Sequence, residues 1–226
     1  MQLVILASGR GKRMKQLTDD IPKPMLKIKG RPILEHKLNA LPKEIDEIIF
    51  VIGYKGEHIM NYFKKEFGGR KIAYVFQHHL NGTGGALHLA KSLLHEKFLV
   101  MMGDDLYSKK DLRKLLKHNL AVMGCEVDDV TQFGILKTDR KGNLTDIIEK
   151  PKKCKDRLAN IGLYKLNKGF FDYDPIPAKS GEIYLTDILS AMAKDHKIKV
   201  EKASLWLPIG HPGDLKKAEE IIHKFA

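Results

Sequence analysis

Short apolar runs punctuate the first half of the chain, and segments of helical periodicity separate them. Residues 3–7, 47–54, 71–76 and 97–102 are rich in β-branched and aromatic side chains and run into glycine or a polar loop, so each reads as a buried strand. The spacing of Ile33, Leu34, Leu38 and Leu41 predicts a helix over 33–41 that Pro42 ends. Residues 57–67 read as a second, amphipathic helix stopped by Gly68 and Gly69. This alternation predicts an α/β fold with a mainly parallel sheet and helices on both faces. Ligands of such sheets bind beyond the carboxyl ends of the strands.

The pattern changes downstream. A helix is expected over 109–116, after which 120–127, 133–136, 144–148 and 159–166 read as strands with a turn at Gly142-Asn143. This half is therefore β-rich, with hairpins rather than crossovers. Residues 180–187 open a helix expected to run to about 194, 197–203 read as a strand, and an amphipathic helix extends to Phe225.

Composition narrows the class. At 226 residues, 43% hydrophobic and 30% charged, the chain can bury a proper core and has the make-up of an ordinary soluble protein. Its net charge of +12 would by itself suggest a polyanionic partner. The lysines are scattered, with no arginine-rich arm or aromatic-interleaved basic patch, so a solvated lysine surface is expected and nucleic acid is not. Cys125 and Cys154 share no metal-ligand spacing, which suits a reduced, cytoplasmic chain. No apolar stretch has the length of a membrane span, and the first apolar run is too short for a signal peptide.

The candidate chemistry sits at the predicted strand ends. The first strand breaks into Ser8-Gly9-Arg10-Gly11-Lys12-Arg13-Met14, with Pro22-Lys23-Pro24 beyond it. Two glycines that expose successive N–H groups, ringed by basic side chains, make a nest suited to phosphate. A Walker A spacing is absent, and Met14 stands where a dinucleotide fingerprint needs its third glycine. The next strand end leads into Gln77-His78-His79-Leu80-Asn81-Gly82-Thr83-Gly84-Gly85-Ala86, where glycines admit close backbone approach and the Gln77 amide offers a donor and an acceptor to a base edge. Because an amide can be turned either way, a uracil-type edge and cytosine both remain open. Gly103-Asp104-Asp105 ends the 97–102 strand; an aspartate beside a polyphosphate needs a cation between them, making Asp104 a candidate Mg²⁺ ligand, and Asp105 could cap the following helix. Glu149 can accept hydrogen bonds from sugar hydroxyls, and Lys150 can hold a phosphate monoester.

The stretch 6–14, followed by Leu17-Thr18 and Pro22-Lys23-Pro24-Met25-Leu26, resembles the signature of the sugar-phosphate nucleotidylyltransferases. It departs at Ser8, Lys12 and Gln16, where alanine, threonine and proline are usual. The resemblance implies a Rossmann-like, three-layer nucleotidyltransferase fold in one domain over 1–226. Residues 1–118 would form a nucleotide-binding half, and 119–226 an acceptor-binding half with a C-terminal helix and no acetyltransferase-like repeat domain. It implies that Ala7, Gly9, Arg10, Gly11, Gln77, Gly82 and Thr83 hold the nucleotide, with Gln77 and the Gly82 backbone reading a pyrimidine. Arg13 and Lys23 would be catalytic, Asp104 would hold Mg²⁺, and Gly134, Glu149, Lys150 and Asn160 would bind the acceptor. Relatives often carry W-x-D-x-G-T-P, whose aspartate is a second metal ligand; this chain has Pro208 and His211 instead, and Asp214 is expected at the cap of the last helix.

The activity so implied is transfer of a nucleotidyl group from an NTP, UTP or dTTP before the others, to a sugar 1-phosphate, with glucose 1-phosphate the default acceptor and pyrophosphate released. Two other readings remain: a nucleotide-sugar-binding regulatory module with weak or no catalysis, and a cytidylyltransferase using a non-sugar phosphorylated acceptor. The sequence is compatible with a homo-oligomer.

Overall fold

In the computed structural model, which describes every residue except Pro175 and Ala226, β1 (Gln2–Ala7) is buried along its whole length. Val4 and Leu6 join one apolar layer while Leu3, Ile5 and Ala7 join another, so the strand is covered on both faces. This explains its unbroken apolar sequence, since a doubly covered parallel strand has no solvent face to alternate toward. Next come α1 (Ile33–Asn39), β2 (Glu47–Ile52), α2 (Glu57–Phe63), β3 (Arg70–Phe76), α3 (Gly82–Leu89) and β4 (Lys97–Met102). After them run α4 (Lys109–Leu116), β5 (Ala121–Glu126), β6 (Gly134–Thr138), β7 (Leu144–Glu149), β8 (Leu158–Asn167), α5 (Leu185–Met192), β9 (Lys199–Lys202) and α6 (Pro212–Ile221).

The main sheet has ten strands in the order β7-β6-β8-β4-β1-β2-β3, extended by the short strand Glu66–Phe67, with β5 paired to β8 and β9. β4, β1, β2 and β3 are parallel neighbours. Their register aligns Ala7 with Ile52, Ile52 with Phe76 and Leu6 with Met102, so these strands end on one edge. The loops leaving that edge crowd together. A Cβ on Gly53 would lie 2.8 Å from the Ser8 carbonyl oxygen and 3.1 Å from that of Gln77, so only glycine fits there.

β8 joins the parallel half to the rest. Residues 163–167 pair antiparallel with β4, Ala159 pairs with Ile135 of β6, and its other edge carries β5. Its register breaks between Asn160 and Tyr164, a bulge beside the end of β4 that bends the strand. β6 and β7 form the expected hairpin. A third apolar cluster packs Met14 of the basic loop and Ile28 against Ala218, Ile222 and Phe225, so the C-terminal helix braces the loop.

Three expectations need correction. The helix read over 57–67 stops at Phe63: Lys64 takes φ 54, and Glu66–Phe67 turns back to pair with Arg70 and Lys71. Phe67 still reaches the core, its ring 5.1 Å and edge-on from Phe63, but from a hairpin. The helix read from 180 begins at Leu185, because the preceding segment is held by the glycine turn: the Ile183 amide donates to the Asn81 carbonyl (2.7 Å), and the Gly84 amide to that of Ile183 (2.8 Å). Asp105 does not cap α4; Ser108 does, its hydroxyl accepting from the Asp111 amide (3.2 Å).

Asp111 is the polar anchor under this region, only 1% exposed. Its Oδ2 accepts from the Ser108 hydroxyl (2.7 Å) and from the Ser204 and Leu205 amides (2.8 and 3.1 Å), fastening α4 to the strand that carries Trp206. Lys114 lies 3.0 Å from Oδ1 as an ion-pair contact, out of line for a hydrogen bond. Burial by itself would raise this carboxyl, but the hydrogen bonds from Ser108 and the two amides, with the Lys114 ammonium beside it, outweigh it and hold it below the usual carboxylate range. Its contribution to stability is therefore complete above that range and is lost as pH falls through the lowered value. Asp111→Ala should cost about 3 kcal/mol in urea unfolding at neutral pH and should flatten the fall in stability on acidification. An unchanged unfolding midpoint would remove Asp111 from this role.

Candidate active site

A cavity of about 300 Å³ opens at the shared strand edge. Ala7, Gly9 and Gly11 come to it from the end of β1, Lys23 from the Pro-Lys-Pro turn, Gln77, Gly82 and Thr83 from the β3–α3 connection, and Asp104 from the end of β4. Gly11 has φ 69, and a Cβ there would lie 2.8 Å from Lys23 Cβ, so the absent side chain is what lets the loop close over Lys23. Lys23 is buried, and its Nζ donates to Asp104 Oδ2 at 2.6 Å. The pair ties the Pro-Lys-Pro turn to the end of β4.

Two basic residues of the loop stand apart. Arg10 lies outside the cavity with its guanidinium 5.4 Å above the Tyr54 ring. Arg13 is exposed and reaches the C-terminal segment, 3.9 Å from where a Gly210 Cβ would sit. The remaining predicted residues gather on the β8 side of the same edge. Glu149 pairs with Gly134, and its Oε2 is 2.9 Å from the position of a Gly134 Cβ, so the carboxylate lies over that glycine. Lys150 Nζ is 3.8 Å from Glu149 Oε1. Asn160 donates to the Tyr164 hydroxyl at 2.7 Å and accepts from the Gly162 amide at 3.1 Å within the β8 bulge. Burial pushes the Tyr164 phenol up, Asn160 opposes this and Glu149 adds to it.

Both donor hydrogens of the Gln77 amide are engaged, and one lone pair of its oxygen. The amide accepts from the Ser8 hydroxyl and donates to Asn81 Oδ1 (2.9 Å) and to the Gly82 carbonyl (3.2 Å). Thr83 Oγ1 accepts from the Leu185 amide at 3.1 Å, holding α5 to the glycine turn. Glu182, which the sequence reading assigned no role, lines the cavity from the segment docked on that turn.

Lys37 is the largest omission. It is 4% exposed, and its ammonium donates to the carbonyls of Met102 and Asp105 (2.6 Å to the latter), 4.8 Å from the Tyr107 ring centroid. It thus cross-braces the Gly103-Asp104-Asp105 turn from behind. A signal was present: Lys37 falls on the same helical stripe as Ile33, Leu34, Leu38 and Leu41, where a charge is out of place unless it is partnered. Burial brings the Lys37 ammonium down to about 8, against the pull of Asp105 and Asp104. Asp105 is pushed up to about 7 by burial and by neighbouring Asp104, and its Oδ2 accepts from Trp206 Nε1 at 3.1 Å. Burial would likewise raise Asp104, but Lys23 and then Lys37 hold it below the usual range, as a carboxylate. Trp206 packs edge-on to Phe133 at 5.5 Å, and the Phe133 carbonyl accepts from the Lys150 amide (3.1 Å), so the acidic turn and the Glu149-Lys150 corner share one bridge.

Among the described residues no three His, Cys, Asp or Glu side chains gather into a metal centre. Asp214 caps α6, its Oδ2 accepting from the Gly210 and His211 amides (2.9 and 2.8 Å), and it is not among the residues that line the cavity. Asp104 is different. Its side chain is 36% exposed and only Oδ2 is engaged, leaving Oδ1 as a hard oxygen donor at the cavity. One such donor, completed by ligand and water oxygens, fits Mg²⁺.

The bifunctional protein GlmU of Methanocaldococcus jannaschii is 34% identical over 98% of this chain and 54% of its own length, so the chain spans about half the length of this relative, as it does of the similar protein of Methanococcus aeolicus. The UTP–glucose-1-phosphate uridylyltransferase AglF of Haloferax volcanii is 29% identical over 99% of this chain and 97% of its own. A solved structure of UDP-glucose pyrophosphorylase with UDP-glucose superimposes with a TM-score of 0.85 at 24% identity, covering 99% of this chain and 98% of that one, which establishes the shared fold. The sequence profile described as nucleotidyl transferase matches residues 2–224, a span that takes in the glycine loop, the acidic turn and α6 alike, and on that match the chain belongs to the nucleotidyl transferase family.

Proposed function

We propose that the chain transfers a nucleoside monophosphate from UTP or dTTP to a sugar 1-phosphate, glucose 1-phosphate being the first acceptor to try. The observation that carries this reading is the buried Lys23 held against Asp104 at the mouth of the glycine nest; Glu149, Lys150 and Asn160 lie outside the cavity lining, and the pairing of β7, β6 and β8 brings them beside the end of β4. The nest amides and Lys23 would receive the polyphosphate, and Glu149 and Lys150 the sugar and its phosphate. An oxygen of the acceptor phosphate attacks the α-phosphorus in line, the bond from that phosphorus to the bridging oxygen breaks, and pyrophosphate leaves with the electron pair. The phosphate dianion is already a nucleophile, so the site needs no general base. Catalysis then rests on positioning and charge stabilisation.

Lys23 would neutralise charge at the α-phosphoryl group, and Arg13, on the exposed flank of the loop, would meet the leaving pyrophosphate if it swings inward from Gly210. Asp104 would hold Mg²⁺, which when bound supplies further neutralisation of the polyphosphate. A cytoplasmic setting suits the two unpaired thiols of Cys125 and Cys154. No helix among the described residues is long and apolar enough to cross a membrane.

Pyrophosphate release across a grid of NTPs and phosphorylated acceptors, with and without Mg²⁺, tests the reading; release with one NTP–acceptor pair that EDTA abolishes is expected. Nucleotide binding with no release from any pair would favour the regulatory module. Lys23→Ala should lower turnover about 10²–10³-fold while the circular dichroism spectrum is kept; undiminished turnover would take Lys23 out of the chemistry. Lys37→Met keeps the volume but leaves two carbonyls without their donor. It should cost about 2–3 kcal/mol in urea unfolding and lower turnover through the displaced Asp104; a variant with wild-type stability and rate would show the brace to be dispensable.

A further inference from the structure

We infer that Ser8 is a specificity-determining residue: with both Gln77 amide hydrogens committed, its hydroxyl holds the remaining acceptor, Oε1, in place toward the base, which selects a pyrimidine with a ring N–H over cytosine. This rests on the reading of the cavity as a nucleotide site.

A glutamine amide has two donor hydrogens and one acceptor oxygen with two lone pairs. In Gln77 both hydrogens are used, one on Asn81 Oδ1 and one on the Gly82 carbonyl. The orientation is enforced. Turning the amide over would set Oε1 against the Gly82 carbonyl oxygen, a backbone group that cannot reorient, and the two oxygens would repel. Ser8 completes the lock by donating to Oε1 from the end of β1. Gln77 is 4% exposed yet lines the cavity, and what remains uncommitted on its amide is the second lone pair of Oε1. Leu80, 53% exposed, and Ala86 supply apolar walls for a ring face.

An acceptor there matches the N3–H of uracil or thymine. The same ring nitrogen of cytosine carries a lone pair instead of a hydrogen, so acceptor would face acceptor. Such mismatches at a site built for a hydrogen bond are strongly rejected. Without the hydroxyl, the amide keeps its hold on Gly82 and Asn81, but Oε1 is released to tilt about its soft terminal torsion. Ser8→Ala leaves the rest of the junction in place: the Ser8 carbonyl still accepts from the Tyr54 amide (3.0 Å), and Cβ still packs on Gly53.

The experiment is calorimetric titration of the full chain and of Ser8→Ala with UTP and with CTP, acceptor omitted. The wild type should bind UTP about 100-fold or more tightly than CTP, and Ser8→Ala should narrow that ratio about tenfold with little change in melting temperature. A ratio the same in both proteins within about twofold, or a wild type that binds CTP as tightly as UTP, would overturn the inference. So would binding of neither nucleotide, which would also end the nucleotide reading. A wild type that prefers UTP but releases pyrophosphate with no acceptor would end the transferase reading alone.

Discussion

Parallel registration of β4, β1, β2 and β3 is the constraint on which the rest depends. Because Ala7, Ile52 and Phe76 are in register across the sheet, and Leu6 is paired with Met102, the residues that follow them leave at one level. Gly53 permits the crowding this produces. Side chains far apart in sequence then meet at hydrogen-bonding distance: Lys23 with Asp104, Ser8 with Gln77, Lys37 with Asp105. A one-residue slip of β1 would exchange its two apolar faces and undo each of these meetings together. The apolar layers above and below the sheet therefore set the geometry of the polar edge.

That edge is balanced in charge. Two ammonium groups, Lys23 and Lys37, surround two carboxyl groups, Asp104 and Asp105, and burial gives each a separate task. Lys23 and Asp104 face the cavity as a charged pair. Lys37 sits behind the turn and is spent on carbonyls, while Asp105 is spent on the Trp206 indole. The indole in turn packs on Phe133, whose carbonyl steadies Lys150, so the acidic turn of the parallel half is tied to the β6–β7 hairpin. Asp111 underpins this bridge by tying the strand of Trp206 to α4.

Much of this was legible in the sequence, for physical reasons that can be named. The β-branched runs ending in glycine marked the parallel strands, and the alternation with helices marked their connections, because burial on both faces leaves no other pattern open. The loop residues Gly9, Gly11 and Lys23, the Gln77–Thr83 connection and Asp104 were legible as glycine and charge at strand ends, and they line one cavity. The end of α2 was not legible: Phe67 continues the helical stripe, and only its packing on Phe63 from a hairpin shows that the chain has turned. The role of Lys37 depends on carbonyls 65 and 68 positions away, which no local window contains. Gln77 was legible as a candidate base reader, but the hydrogen bond that Ser8 donates to its amide oxygen spans 69 positions.

The most direct test of the central claim is ³¹P NMR of the protein with UTP, glucose 1-phosphate and Mg²⁺. Nucleotidyl transfer predicts that the three UTP resonances and the sugar phosphate resonance fade together. Pyrophosphate and the coupled pair of a sugar–nucleoside diphosphate would replace them in equal amounts. Inorganic phosphate in place of pyrophosphate, or an unchanged spectrum here and with dTTP from protein that still binds nucleotide, would contradict the account.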